Sequence, residues 1–165
     1  MAKINNKIIL CSVLILCLFW VAEGKSTEAT NGIFQIVSKR MKNVIWDKTS
    51  IVEVDINCDG KKDYAILGKS KQGVKVALVV APVSKDSKIH SFEFLVGKHS
   101  QDSLCQLPAK LRIESLDYDP TEAVGKLPGF RPSKKCNAFG LTDDTCDSFH
   151  FYWNHQTNRL NWWRL

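Results

Sequence analysis

The chain has 165 residues, 44% of them hydrophobic and 24% charged, with a formal net charge of +6. That composition excludes a disordered or collagen-like polymer and sets the scale at one domain with a modest core. The basic residues are scattered, and the densest group, Arg131-Pro-Ser-Lys-Lys135, reads as a solvated loop, so no nucleic-acid partner is expected.

Residues 1–24 read as a secretory signal peptide. Lys3 and Lys7 make a positive start, and Ile8 to Ala22 is an apolar run too short for a comfortable membrane span. Ala22-Glu23-Gly24 places small residues where a signal peptidase needs them. Leu16 precedes Cys17 where a lipoprotein signal carries a small residue, which argues against lipid attachment. The expectation is an exported chain, periplasmic or secreted, with no stable membrane anchor after processing. Residues 25–165 are then a single disulfide-containing domain.

From Thr30 the pattern turns helical. Ile33, Phe34, Val37, Met41, Val44 and Ile45 recur at three- and four-residue steps, which predicts a core-packing amphipathic helix. Trp46 is expected to plug its junction with the first strand.

The sharpest feature of the chain follows, Asp55-Ile-Asn-Cys-Asp-Gly-Lys-Lys-Asp63. Oxygen side chains fall at alternate positions, Asp55, Asn57 and Asp59. Gly60 stands where the chain must turn, and Asp63 closes the run. A hard cation such as calcium takes six to eight oxygens, and this spacing wraps donors about one point. A plain β-turn is the competing reading, because Asp, Asn and Gly favour turns in any case.

The stretch resembles the calcium loop of FG-GAP (integrin-α type) repeats, of dockerins and of EF-hands, which share D-x-[DN]-x-D-G-x-x-D. An EF-hand closes on a bidentate Glu at loop position 12, where this chain has Ile66. The flanks Ser50–Ile56 and Tyr64–Leu67 are apolar and β-branched, so strands are expected on both sides and the FG-GAP type is preferred. The resemblance covers about a dozen residues in one copy. It implies a calcium loop with ligands Asp55, Asn57, Asp59, Asp63 and the Lys61 carbonyl, without implying a propeller.

Beyond the loop the chain reads as antiparallel β, with strands over Asp63–Leu67, Val74–Val80 and Ile89–Val96. Residues 97–135 read as a long surface loop, with one further strand near Leu111–Tyr118 and turn signals at Asp119-Pro120 and Leu127-Pro-Gly-Phe-Arg-Pro132. Phe149, Phe151 and Trp153 alternate with His150 and Tyr152. Asn154 to Asn158 then turns the chain and Arg159–Arg164 returns, a C-terminal aromatic hairpin in which Trp162 and Trp163 point to opposite faces. The fold class expected is α+β and β-rich, an N-terminal helix packed on an antiparallel sheet that ends in this hairpin.

Four cysteines lie beyond residue 24: Cys58, Cys105, Cys136 and Cys146. In an exported chain they predict two disulfides, for which three connectivities exist. Cys136–Cys146, closing a local loop, and Cys58–Cys105 are the expected pairs.

Catalytic signals are thin. The histidines are His90, His99, His150 and His155, none at metal-ligand spacing, and no G-x-S-x-G elbow or phosphate-cradling loop is present. Asp143, Asp144 and Asp147 near His150 could form an acid/base group, although a solvated turn is the simpler expectation. The residues therefore read against an enzyme. The leading function is a small exported binding protein braced by Ca2+, with a protein partner, of the envelope-inhibitor or immunity type. A secreted hydrolase or carbohydrate-active protein is the alternative, and a structural envelope component a further one.

Overall fold

A computed structural model describes residues 27–97 and 100–165. The expected signal peptide, Cys11, Cys17 and His99 lie outside the described residues. The chain divides into two compact units, Met1–Gly32 and Ile33–Leu165. Of the first, residues 27–32 are described and are helical.

The helix (α1) spans residues 27–40, and its Ile33 and Val37 are wholly buried. Arg40 donates from Nη1 to the Ser87 carbonyl at 2.5 Å and from Nη2 to the Lys85 carbonyl, which fastens the helix end to the turn that precedes Ile89. Val44 and Ile45 do not continue the apolar helical face. Ile45 opens a ten-residue strand and is 78% exposed. Trp46, Thr49, Ile51 and Val52 fit a pleated surface, and pairing with the next strand outweighs a helical period confined to two residues.

Two sheets follow. The first has the order β1-β2-β3-β4-β5, formed by β1 (Ile45–Val54), β2 (Asp63–Lys69), β3 (Gly73–Val79), β4 (Ile89–Val96) and β5 (Ser103–Leu104). Its pairs are antiparallel except β4 with β5, which run parallel. The second has the order β6-β7-β8-β9, with β6 (Lys110–Leu116), β7 (Ser133–Thr142), β8 (Phe149–Asn154) and β9 (Arg159–Trp163), all antiparallel. The strand over residues 133–142 lies where the sequence reads as loop. Lys134, Lys135, Asn137 and Gly140 are poor strand formers, and its place between β6 and β8 overrides that propensity.

Alternation sends one face of each sheet into a shared core. Val54, Ala65, Leu67, Val76, Leu78 and Phe94 come from the first sheet, and Phe139, Leu141, Phe149, Phe151 and Leu160 from the second. Phe94 lies 4.3 Å from Phe149 between ring centroids, and Phe139 stacks on Phe151 at 4.5 Å. Trp162 packs on Phe94 and Phe149, whereas Trp163 stacks on His150 on the opposite face. That opposite face is roofed by residues 117–132, which include the short helix α2 (Thr121–Val124). Tyr118 meets Trp163, and Phe130 meets Tyr152. Gly68 makes room for the β1 end: a Cβ there would lie 2.5 Å from Val44 Cγ1 and 2.7 Å from the Trp46 ring.

The disulfides are Cys58–Cys136 and Cys105–Cys146, with Cα separations of 5.5 and 6.0 Å, so the expected pairing is wrong in both members. Cys136 sits within β7, and six strand steps at about 3.3 Å each carry the chain about 20 Å on before Thr142. A disulfide needs Cα atoms within about 7 Å. Cys58 and Cys105 are likewise at opposite ends of the first sheet. The loop of Cys58 leaves from Val54, which is in register with Asp63, whereas Cys105 follows Leu104, paired with Val96. Each bridge instead ties the first sheet to the second.

Candidate functional site

The residues expected to hold a metal form the connection between β1 and β2. Antiparallel pairing of Val54 with Asp63 brings the two ends of the stretch together. Between them the side chains close the turn on itself. Asp55 accepts from the Asp59 N–H through Oδ1 and from the Gly60 N–H through Oδ2, both at 3.0 Å. Asn57 Oδ1 also accepts from the Asp59 N–H, and Asp59 Oδ1 accepts from the Lys61 N–H at 2.9 Å. Cys58 and Gly60 both take positive φ, 59° and 79°, as a chain doubling back over three residues requires.

Two bonds fasten the loop to the second sheet. One is the Cys58–Cys136 disulfide. The other is the Asp55 N–H, which donates to Asn137 Oδ1 at 2.9 Å.

Asp63 is fully buried at the base. Its Oδ2 accepts from the Ile56 N–H at 3.2 Å and its Oδ1 from the Ala81 N–H at 2.9 Å. Burial pushes its carboxyl up to about 6. The two N–H donors pull the other way, and the charges of Asp59 and Asp55 add to the rise.

The donor chemistry suits a hard cation. Every candidate side chain offers oxygen, the three carboxylates outnumber the nearby cations, and the soft Cys58 sulfur is removed into a disulfide. Lys61 stands 3.8 Å from Asp59 and is exposed. The three carboxylates do not converge, however. Among the described residues no three Asp, Glu, His or Cys groups gather as a metal cluster, because Asp55 and Asp59 serve the turn while Asp63 faces Ile56 and Ala81.

The acid/base group imagined around residues 143–150 is not assembled. Asp143 is 4% exposed and accepts four backbone N–H bonds, from Cys105, Gln106, Thr145 and Cys146. Burial pushes its carboxyl up, but the four donors outweigh burial and hold it below the usual range. Asp144 pairs with Lys110 and Arg112, and His150 Nδ1 sits 2.9 Å from Glu114 Oε2.

A groove of ≈ 500 Å³ runs beside the loop, lined by Asp59, Pro82, Asp86, Trp153, His155 and Asn158 among others. Its walls come from three segments distant in sequence, so no local pattern announces it. The Glu114–His150 pair escapes sequence reading for the same reason. Its partners sit on β6 and β8, and Gly140 of the intervening β7 leaves room for the Glu114 carboxylate to cross.

Comparison of the chain with protein-family models, with curated proteins and with solved structures finds no match in any of the three.

Proposed function

We propose that the chain is a small exported binding protein braced by calcium at residues 55–63. The observation that carries the reading is the loop itself. Asp55, Asn57 and Asp59 wrap their oxygens about one tight turn, and that turn is tied to the second sheet by Cys58–Cys136 and by Asn137. In this reading Asp55, Asn57, Asp59, Asp63 and the Lys61 carbonyl are the donors, with Asp63 exchanging its Ile56 and Ala81 N–H bonds for the ion. Calcium would supply positive charge against three carboxylates, and so brace the fold rather than drive a reaction.

Export is supported by the two disulfides, which persist in oxidising compartments. Among the described residues no helix is long and apolar enough to cross a membrane. Binding is preferred to catalysis because Asp143, Asp144 and His150 are committed to structural bonds. The partner fitting this reading is a protein, as for an envelope inhibitor or immunity-type protein. The groove beside the loop favours a second reading, a carbohydrate-active protein, since Trp153, Asn158 and His155 offer an indole with neutral donors and acceptors.

Thermal melts in calcium and in chelator test the brace. With free calcium at about a hundredfold over its dissociation constant, linkage adds about 2.7 kcal/mol. That raises the melting temperature by about 5–11 °C for a domain of this size. Magnesium does less, because it gives up water reluctantly. Asp59→Ala removes the shift while the protein remains folded. Identical melts of the oxidised protein in millimolar calcium and in chelator would leave only a turn.

A further inference from the structure

At the end of the first sheet away from the aspartate loop, the strand registers leave an apolar groove of ≈ 340 Å³ between the start of β1 and the segment entering β6. Its floor reaches the core through Leu67 and Val74, which are 9% and 4% exposed. Its rims are two aliphatic side chains that the fold leaves out: Ile45 at 78% exposure and Leu107 at 49%. Singly exposed aliphatics are ordinary. Two lining one apolar groove are less so, and they make it a candidate binding surface.

The charges at the rim select the ligand. Lys69 is paired with Ile45 across β1 and β2, is exposed, and takes part in no ion pair among the described residues. The other charged rim residue, Asp47, is engaged on its own strand, where Oδ1 accepts from the Thr49 N–H at 2.9 Å and the Thr49 hydroxyl at 2.6 Å. The groove therefore joins an apolar trough to a cation without an ion-pair partner among the described residues, while the Asp47 carboxylate keeps its charge but is turned onto Thr49. We propose that it binds a free long-chain carboxylate, with the alkyl chain lying along the trough between Ile45 and Leu107 and the carboxylate on the Lys69 ammonium. A second copy of the chain fits less well, because two protruding aliphatic residues are far short of the ~800 Å² per partner that a stable interface buries.

The test is calorimetric titration of the oxidised protein with dodecanoate and with dodecyltrimethylammonium, both below their micellar concentrations. Wild type binds dodecanoate saturably at one site and the cationic amphiphile at least tenfold more weakly. Leu107→Asp weakens dodecanoate at least tenfold. Lys69→Glu reverses the preference between the two head groups. Both positions are exposed, and near-UV circular dichroism checks that each variant keeps its packing. The proposal is overturned if wild type shows no saturable binding, or if Lys69→Glu leaves the preference unchanged. It is overturned equally if wild type sediments as a dimer that Leu107→Asp dissociates, since the groove then belongs to a contact between copies.

Discussion

Residues 55–63 and 143–147 are two short loops built from the same materials. Each holds several aspartates, a disulfide cysteine and a non-glycine residue at φ 59°, Cys58 in one and Asp144 in the other. Each buries one carboxylate, Asp63 or Asp143. Their electrostatics are nevertheless opposite. Asp143 receives four backbone N–H donors and is held as a stable anion below the usual carboxylate range. Asp63 receives two donors, and burial, with a smaller push from the charges of Asp59 and Asp55, raises it to about 6. The balance between burial and the number of donors, not the number of aspartates, decides whether an acidic loop is finished by the fold or left short of positive charge.

Breaking the completed loop gives the largest effect. Asp143→Ala strands four N–H groups that Cys105, Gln106, Thr145 and Cys146 now direct at one carboxylate. Denaturant melts should show a loss of about 3–5 kcal/mol. Asp59→Ala, without calcium, should cost far less because it empties one exposed turn bond. Equal losses at the two positions would dissolve the contrast.

The disulfides come next. Replacing either cysteine pair by serine should cost about 2–4 kcal/mol. The bridges close separations of 78 and 41 residues, and chain entropy alone makes Cys58–Cys136 the more costly to lose by about 0.6 kcal/mol. A parallel comparison in calcium sharpens the contrast further. Cys58→Ser with Cys136→Ser should lose part of the calcium-dependent stabilisation, whereas Cys105→Ser with Cys146→Ser should keep it.

The smallest effect is a pH signature measured in chelator. A folded value near 6 against the ordinary 3.8 means that the fold favours protonated Asp63. That contribution is complete below pH 3.8 and is lost as pH rises through about 6. Asp63→Asn leaves one of the two N–H donors without an acceptor at every pH, so it should be destabilised at pH 5, and its stability relative to wild type should rise by about 1–2 kcal/mol between pH 5 and pH 8. Asp143 has the reverse sign: its contribution is present above pH 3.8 and disappears as pH falls below that value. An Asp63→Asn difference that stays flat between pH 5 and 8 would remove the electrostatic distinction between the two loops. His90 supplies an internal reference. Burial, with Lys88 and Arg159 nearby, pushes it down to about 4, so its contribution is present above pH 6.5 and fades as pH falls towards 4.

Much of the local structure was legible in the residues. The strands expected over Asp63–Leu67, Val74–Val80 and Ile89–Val96 are found at Asp63–Lys69, Gly73–Val79 and Ile89–Val96, the first two legible as apolar runs bounded by turn residues and the third by alternation, and the turn at 154–158 lies where the sequence places it. The opposed faces of Trp162 and Trp163 follow from the two-residue period of a strand. The helix was legible up to its last turn, and failed at Val44 and Ile45 because two residues cannot distinguish a fading helix from a starting strand. In the aspartate stretch, the residue types and the place of Gly60 forecast a tight loop, and the fold turns the Asp55, Asn57 and Asp59 oxygens that the sequence aims at a cation onto backbone N–H groups of the turn.

The sequence alone determined whatever depends on neighbours within a few positions: strand and turn periodicity, the loop at 55–63, and enough cysteine for two bridges. Tertiary structure decided which strand ends meet. That choice paired Cys58 with Cys136 and Cys105 with Cys146, made a strand of residues 133–142, and ran β5 parallel to β4. It also gave Asp143 four donors and Asp63 two, and opened the groove between Ile45 and Leu107. Each is a contact between segments far apart in the chain, settled by the shared core of two sheets that no local pattern contains.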